Sequence, residues 1–416
     1  MSQYVEELVK KARASSYRLN NLDPKIKKAA LLKMAAALLK AKDYILRENQ
    51  KDLIAAANKN LPASFIDRLT LDEKRLRSMA GSLKEIARFP DPVGKVIRQW
   101  KRPNGMTIKK IRVPIGVVLM IYEARPNVTS DCAGLLFKSN NVGILRGGSD
   151  ALNSNLAIAA VLQKAVRSAG VKFEPFFLVE KTEHELLDEL LKQSETIDLV
   201  SPRGGEGLIR KVAETSRIPV IKHYKGVCHI FVDATADFKK ALKICVNAKV
   251  QRPGVCNAVE KILVHKNIAA KFLPLLKKEF NRYKVEIRAD SAAVAILPGV
   301  KKAHADDWSA EYLDLIITVG VVKNAEAAIV HINQFGSHHT DSILTKNKAN
   351  SERFLREVDS ACCFANISTR LSDGQQFGLG AEIGISTDKL HARGPMGVED
   401  LTTYKYIVTG SGQVRE

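Results

Sequence analysis

The feature that most constrains the fold is a repeated order of apolar run, polar or glycine-containing junction and helical segment, from about residue 115 onward. The first run, Ile115–Ile121, is apolar on both faces, as in a strand buried inside a parallel sheet. Because parallel strands need crossover helices, the alternation predicts an α/β fold with a Rossmann-type sheet. Further runs lie at 142–145, 175–179, 197–200, 218–221 and 228–233.

Two junctions in this region carry glycines. Arg146–Ser149 follows the second run and contains Gly-Gly, and Arg203–Gly207 follows the fourth and contains three glycines. Backbone N–H groups at a strand-to-helix junction can hold phosphate. Two such junctions on one sheet favour a nucleotide cofactor over ordinary tight turns, although the GxGxxG pattern is absent.

The flanking segments predict helices and a β-hairpin. Helical patterns cover 5–58 and 71–88, and prolines at 90 and 92 end the second. The hairpin is predicted over Val96–Val113, with its turn at Pro103-Asn104-Gly105.

Composition limits the remaining possibilities. A chain of 416 residues with 45% hydrophobic residues exceeds one core, so two domains are expected. Its six cysteines form no CxxC pair and its histidines have no third ligand at useful spacing, so we predict neither disulfides nor a metal site. Without a leader or membrane-spanning pattern, the expected location is the cytoplasm and no membrane partner is expected.

The formal net charge of +20 raises a non-enzyme alternative, a nucleic-acid-binding protein. Lysines and arginines are nevertheless spread along the whole chain, and aromatic residues make up only 6%. This distribution gives no basic-aromatic platform for bases and is typical of solvated helix faces. The spread positive charge therefore favours an anionic small-molecule ligand, and no nucleic acid partner is expected.

The candidate nucleophile is Cys256, within the segment Gln251–Ala258. A thiol at a Pro-Gly turn ahead of small residues can receive backbone N–H groups that stabilise its thiolate. The alternative is that Cys256 is a small buried hydrophobe. The segment by itself leaves both open.

Eight segments, in this order and spacing, resemble one known family over essentially the whole chain. They are 113–117, 122–129, 144–149, 202–205, 251–258, 307–315, 377–387 and 391–395. The family is that of the gamma-glutamyl phosphate reductases, also called glutamate-5-semialdehyde dehydrogenases, in the aldehyde dehydrogenase superfamily. The resemblance implies an aldehyde dehydrogenase-like fold and NADPH-dependent reduction of L-glutamyl 5-phosphate to L-glutamate 5-semialdehyde in proline biosynthesis. A glutamate 5-kinase would supply the substrate.

The resemblance also implies residue roles. Cys256 matches the family's nucleophile, and Asn127 matches the amide that holds the developing oxyanion with the cysteine backbone N–H. A cation at the cofactor's adenosine end suits the 2′-phosphate of NADPH. The implied cofactor residues are Arg146, Ser149, Gly204, Gly205, Gly207 and Glu311.

Substrate residues are less defined, and each arginine has a structural ion pair as its alternative role. The candidates are Arg125 and Arg252 for the phosphate, and Ser368, Thr369 and Arg370 for the α-carboxylate. The chain departs from the family pattern at Asn140, where glycine is usual, at Cys362–Ala365 and at Ile367. Asparagine tolerates a left-handed turn, whereas the other two departures affect the loop proposed for the substrate.

The segment Lys222–Gly226 bears on the direction of the reaction. Hydrolytic aldehyde dehydrogenases, the enzyme alternative, carry a glutamate ahead of two glycines in this region, and no carboxylate stands here.

The resemblance also implies an architecture of three parts. They are an NADPH-binding domain (1–95 and 113–226), a catalytic domain (227–400) and an oligomerisation arm (96–112 and 401–416). The arm would combine the Val96–Val113 hairpin with a terminal strand over Thr402–Val408. Because a long apolar edge strand needs a partner, we predict a homodimer or homotetramer joined through these strands.

Overall fold

The computed structural model describes residues 2–415, with the side chains at 63 and 64 excepted, so Met1 and Glu416 of the predicted terminal ranges lie outside the described residues. The chain divides into two compact units. The first runs to Lys222 and takes in Gly378–Gly384 and the stretch from Met396 onward, and the second comprises His223–Phe377 and Ile385–Pro395. Two segments inside the predicted 227–400 domain thus belong to the first unit. Which unit binds the cofactor stays a prediction.

The first unit begins with the predicted helices. Asp23 caps the second of them through a bond from the Lys25 N–H, and Pro24 occupies its first position. The elements are α1 (Gln3–Leu19), α2 (Pro24–Lys40), α3 (Lys42–Asn58), α4 (Ala63–Leu69), α5 (Glu73–Arg88), β1 (Val96–Lys101), β2 (Thr107–Pro114), β3 (Val117–Tyr122), α6 (Asn127–Lys138), β4 (Val142–Gly147), α7 (Leu152–Ser168), β5 (Phe176–Leu178), α8 (His184–Leu190), β6 (Leu199–Arg203) and α9 (Glu206–Thr215).

A four-stranded parallel sheet forms the centre of this unit, in the order β5-β4-β3-β6, which confirms the α/β alternation. Tyr122 pairs with Gly147 on one side and Arg203 on the other, so the junctions after β3, β4 and β6 share the carboxyl edge. The strand predicted at 218–221 was wrong. Only the isolated bridge Val200–Val220 forms there, and Pro219 lacks the N–H that a ladder needs.

The second unit contains a seven-stranded parallel sheet in the order β10-β9-β11-β8-β7-β12-β13. One face packs on α10, α11 and α12 around residues such as Phe272 and Ile262, and the other packs on α13 and α14 around residues such as Phe354. The elements are β7 (Cys228–Val232), α10 (Phe238–Val250), β8 (Val259–His265), α11 (Lys266–Arg282), β9 (Glu286–Ala289), α12 (Ser291–Ile296), β10 (Lys301–Lys302), β11 (Ile316–Val322), α13 (Ala325–Phe335), β12 (Thr340–Leu344), α14 (Lys348–Glu357), β13 (Cys362–Ala365), β14 (Ile385–Ser386) and β15 (Gly394–Pro395).

The last strand, β16 (Thr402–Thr409), returns to the first unit and pairs antiparallel with β2 along its full length. It completes a sheet of order β1-β2-β16, which confirms the predicted hairpin and terminal strand. Gly105 closes the hairpin at φ +90°. Asn140 adopts φ +60°, the left-handed turn that its sequence position predicted. None of the helices within residues 2–415 has the length and apolar character needed to cross a membrane.

Candidate active site

Three side chains with nucleophilic or basic atoms meet at the amino edge of the second unit's sheet. Cys256, His223 and His339 lie just ahead of β8, β7 and β12, which are neighbours in the sheet. One potential ligand atom from each lies within 4.8 Å of the others. Cys256 is half-buried and His339 is buried. The thiol is therefore placed beside two imidazoles and is not enclosed in a purely apolar core.

The backbone of Cys256 is held against Gly226. A Cβ atom at 226 would come within 2.0 Å of the Cys256 carbonyl oxygen and 2.5 Å of its Cα, so only glycine fits. The Cys228 thiol donates to the same carbonyl at 3.2 Å. The main chain of Cys256 is thus held by Gly226, just ahead of β7, and by Cys228, the first residue of β7.

The loop Gln251–Ala258 is also held by Arg370. Its Nε donates to the Gln251 side chain at 2.8 Å, and its Nη1 donates to the Asn257 side-chain oxygen. Asn257 in turn donates to the Ser372 carbonyl at 2.8 Å. Two Arg370 donors thus hold the catalytic loop through neutral amide side chains and not through an ion pair, and the role of Arg370 toward the substrate stays a prediction.

The other substrate candidates have varied surroundings. Ser368 caps the short turn that follows it by accepting from the Arg370 N–H, and Thr369 is fully buried. Arg252 is exposed, and Arg125 in the first unit is half-buried. Among the candidates in the second unit, Arg252 is the cation with the best access to an anionic ligand, and its substrate role stays a prediction.

A buried ion pair joins the two ends of the catalytic loop. Lys249, in the last turn of α10, donates to Glu260, near the start of β8, at 2.9 Å, and both side chains are fully buried. Burial raises the pKa of Glu260 to about 7, against the pull of Lys249 and with a small contribution from the Glu311 charge. Burial likewise lowers the pKa of Lys249. Glu311, predicted at the nicotinamide ribose, is half-buried and belongs to the same charged neighbourhood.

In the first unit, Asn127 occupies the first turn of α6 and not the preceding loop where the sequence predicted it, since the helix begins three residues earlier than the predicted start at Ser130. Its side-chain Nδ2 donates to Asp131 one turn later at 3.1 Å. Burial raises the pKa of the Asp131 carboxyl to about 6 against the bond from Asn127. Asp131 therefore orients the amide that the sequence assigns to the oxyanion.

The Glu123 side chain occupies part of the glycine junction after β6. Glu123, after β3, accepts from the Gly205 N–H at 3.0 Å and packs on Gly204, where a Cβ would lie 2.7 Å from its carboxyl carbon. At Gly205 and Gly207 a Cβ would meet nothing within 4 Å and neither has positive φ. No contact within residues 2–415 requires glycine at those two positions.

The junction after β4 places the two adenosine-end candidates differently. Arg146 is 9% exposed, its Nη2 donates to the Thr182 carbonyl at 3.1 Å, and burial lowers its pKa. Ser149 is exposed in the short turn that opens α7. One N–H of the nearly buried Arg146 guanidinium is therefore bonded within the protein, whereas the Ser149 hydroxyl lies at the surface.

Sequence reasoning missed His223 and His339 as neighbours of Cys256. It treated each histidine as isolated and found no metal ligand set, because the three residues are far apart in the chain. The order of strands β8, β7 and β12 brings them together, and no local pattern reports that order. His223 itself lies within Lys222–Gly226, the segment that lacks the carboxylate base of the hydrolytic enzymes.

Comparison with known proteins places the chain in a family. The aldehyde dehydrogenase family model matches residues 2–314. Gamma-glutamyl phosphate reductase from Caldanaerobacter subterraneus subsp. tengcongensis is 53% identical over 99% of this chain and 100% of its own, and the protein of that name from Geotalea daltonii is 53% identical over the whole of both chains. The crystal structure of gamma-glutamyl phosphate reductase from Thermotoga maritima superposes with a TM-score of 0.96 at 44% identity, covering 99% of this chain and 100% of that chain. The chain therefore belongs to the aldehyde dehydrogenase family and, within it, to the gamma-glutamyl phosphate reductases.

Proposed function

We propose that the chain catalyses NADPH-dependent reduction of L-glutamyl 5-phosphate to L-glutamate 5-semialdehyde, with release of phosphate, through a thioester on Cys256 in proline biosynthesis. The name shared by its relatives supplies the substrate. The observation that carries the chemistry is the half-buried Cys256 thiol, whose main chain is fixed against Gly226 and Cys228. A nucleophile held in this way loses little entropy when it attacks.

The Cys256 thiolate attacks the acyl carbon, the bond from this carbon to the phosphate oxygen breaks, and phosphate leaves with the electron pair. The backbone N–H of Cys256 and the Asn127 amide, oriented by Asp131, stabilise the negative charge that develops on the carbonyl oxygen. NADPH, when bound, would supply the hydride that reduces the thioester. Collapse of the resulting thiohemiacetal expels the Cys256 thiolate and frees the aldehyde. Exclusion of water prevents loss of the thioester by hydrolysis.

The family uses nicotinamide cofactors, and the choice of NADPH rests on the first unit. Arg146 uses one of its five N–H groups on Thr182, which leaves donors for a 2′-phosphate. Gly205 and Gly207, which packing does not require, suit the close approach of a pyrophosphate to α9. Ser149 would bind at the adenosine end and Glu311 at the nicotinamide ribose. A cytoplasmic location and delivery of the acyl phosphate by a glutamate 5-kinase complete the proposal.

The reverse reaction tests the mechanism. With pyrroline-5-carboxylate and NADP⁺ but no phosphate, we expect at most one NADPH per Cys256, because the thioester has no acceptor. Adding phosphate should start steady turnover, and replacing NADP⁺ with NAD⁺ should slow it. Absorbance of NADPH measures both phases. Steady turnover without phosphate would identify a hydrolytic aldehyde dehydrogenase instead, with His223 or His339 as the base that activates water.

A second copy of this chain is the partner proposed for the arm. β1 and β16 are the two edges of the three-stranded sheet, and their exposed residues include Val96, Ile97, Tyr404, Tyr406 and Val408 at 46–55% relative exposure. Edges this apolar pair with another strand unless they are covered. We expect light scattering to give two or four times the 45.9 kDa chain mass. A monomer at micromolar concentration would contradict this.

A further inference from the structure

The cluster of Cys256, His223 and His339 offers a second chemistry, which starts from the protonation of its two imidazoles. His223 Nδ1 lies 2.9 Å from the Ile385 carbonyl. A carbonyl oxygen only accepts, so Nδ1 carries the proton and Nε2 holds the lone pair. A histidine whose other ring nitrogen is bonded to a carbonyl is the usual arrangement at metal sites, because this bond fixes both tautomer and ring direction.

His339 is arranged in the same way. Its Nδ1 lies 2.8 Å from the Thr340 hydroxyl, and that hydroxyl donates to Ser372 at 2.9 Å. Because the Thr340 proton points to Ser372, its oxygen accepts from His339, and the proton again lies on Nδ1. The rings of His223 and His339 meet edge to face with centroids 5.6 Å apart. Nδ1 of each imidazole is thus bonded within the protein, and one ring nitrogen of each lies within 4.8 Å of the Cys256 sulfur.

We propose that Cys256, His223 and His339 form a zinc site that reversibly blocks the nucleophile. One thiolate and two imidazoles are ligands that Zn²⁺ binds strongly, and three protein ligands leave a fourth position for water. Bonds of about 2.0–2.3 Å at tetrahedral angles place ligand atoms roughly 3.5 Å apart, against at most 4.8 Å here. Small rotations of the half-buried Cys256 and His223 side chains can close gaps of about 1 Å among the three ligand atoms. Mg²⁺ and Ca²⁺ prefer oxygen ligands, which this set lacks.

Binding involves no redox change. Zn²⁺ exchanges bound water for the two Nε2 atoms and the sulfur, and the thiol proton is released to solvent. With its sulfur on the metal, Cys256 cannot attack an acyl carbon. The binding stands on the geometry alone, whereas the inhibition rests on the proposed function.

Cobalt titration of the full-length protein tests the binding. We expect Co²⁺ to give the thiolate-to-cobalt absorption of a tetrahedral sulfur site, and Zn²⁺ to displace it. Cys256→Ala should abolish this absorption. His223→Asn and His339→Gln should weaken Zn²⁺ binding at least 10–100-fold, the range seen when even a supporting contact is lost. Circular dichroism of the His339 variant checks that the buried substitution leaves the protein folded. His223, only half-buried, supplies an independent variant.

His338→Ala and Cys363→Ala are the matched controls. His338 is the chain neighbour of His339 but pairs with Asp359, and Cys363 is a second half-buried thiol outside the cluster. Both should bind zinc and cobalt as the wild type does. Cobalt absorption that survives Cys256→Ala, or zinc binding that His223→Asn leaves unchanged, would overturn the site.

Enzyme assays test whether zinc bound at this site also inhibits turnover. Zn²⁺ should stop turnover of the wild-type protein and a chelator should restore it, with acyl phosphate or aldehyde giving protection. Cobalt binding at Cys256 without inhibition would overturn the inhibitory role and count against Cys256 as the nucleophile. Inhibition that persists equally in His223→Asn would place the inhibitory metal elsewhere.

Discussion

Replacing Cys256 with alanine is expected to lower phosphate-dependent NADP⁺ reduction by at least about 10⁴-fold, because removal of a covalent nucleophile leaves only binding and oxyanion stabilisation. The substitution removes one sulfur from a half-buried position, so the protein should fold and still bind NADP⁺. Steady-state rates measure the loss, and quenching of protein fluorescence measures cofactor binding. The thiol-labelling rate of the protein should fall at the same time.

Cys363→Ala is the control for general loss of a thiol. Cys363 is also half-buried in the second unit, and its thiol donates to the Val358 carbonyl at 3.3 Å, away from the catalytic loop. Burial raises the pKa of this thiol to about 11, so it is inert at neutral pH. Its variant should keep wild-type turnover. Activity retained by Cys256→Ala, or lost equally in both variants, would remove Cys256 from the mechanism.

Breaking the Lys249–Glu260 pair is expected to destabilise the protein by about 3–5 kcal/mol, because each single variant leaves an uncompensated buried charge. Lys249→Met leaves a carboxyl and Glu260→Leu leaves an amine. The double variant replaces both with apolar groups of similar volume and should recover most of the loss. Urea unfolding of the four proteins gives the coupling energy.

The single variants should depend on pH with opposite signs. Without Lys249, the pKa of Glu260, already raised to about 7, rises further, so the folded state keeps a proton that the unfolded chain releases. Stability of Lys249→Met should therefore fall as pH rises from about 5 to 8, by up to about 1.4 kcal/mol per unit. Without Glu260, burial lowers the pKa of Lys249 further, the unfolded chain binds the extra proton, and stability should rise with pH.

An exposed pair provides the control. Lys348 and Glu352 lie 3.7 Å apart on α14 with most of both side chains in solvent, and Lys348→Met should leave the urea midpoint unchanged.

The loop between Lys249 and Glu260 carries Cys256, so both single variants should also lose turnover more than the double variant. If the two substitutions had additive effects on the free energy of unfolding, Lys249 and Glu260 would not act as a pair. The same would follow if the stability of both single variants changed with pH in the same direction.

Local pattern sufficed for most of the fold. The apolar runs at 115–121 and 142–145 predicted strands, and the structure has strands at 117–122 and 142–147. The hairpin turn at Gly105 and the left-handed Asn140 also express preferences of a few adjacent residues, and the structure confirms them. The strand predicted at 218–221 failed because Pro219 has no N–H to donate, so the segment makes only the isolated bridge between Val220 and Val200. The start of α6 was misplaced because Pro126 was interpreted as part of a loop, whereas it precedes the first helical turn.

The site was less accessible to sequence reasoning. Cys256 and the glycine junctions stand in recognisable motifs, so they could be singled out. The partners that hold them come from distant segments: Gly226 and Cys228 against the Cys256 main chain, Arg370 on the loop, and Glu123 on Gly205. Strand order sets these contacts. In the second unit, moreover, the nucleophile lies at the amino edge of the sheet, opposite to the edge where α/β proteins usually bind ligands.

The division of the chain between the two units also fixes an order of completion during synthesis. β2 is synthesised before the whole second unit, whereas its partner β16 is synthesised after it, and Gly378–Gly384 of the first unit also follows most of the second unit. The second unit, in contrast, needs nothing beyond Pro395. The first unit therefore begins before the second unit and is completed after it, and one edge of β2 stays unpaired until residues 402–409 have been made. A nascent chain that stalls before residue 402 would contain a complete second unit and an unpaired edge of β2. That edge could pair with another nascent chain on the same mRNA.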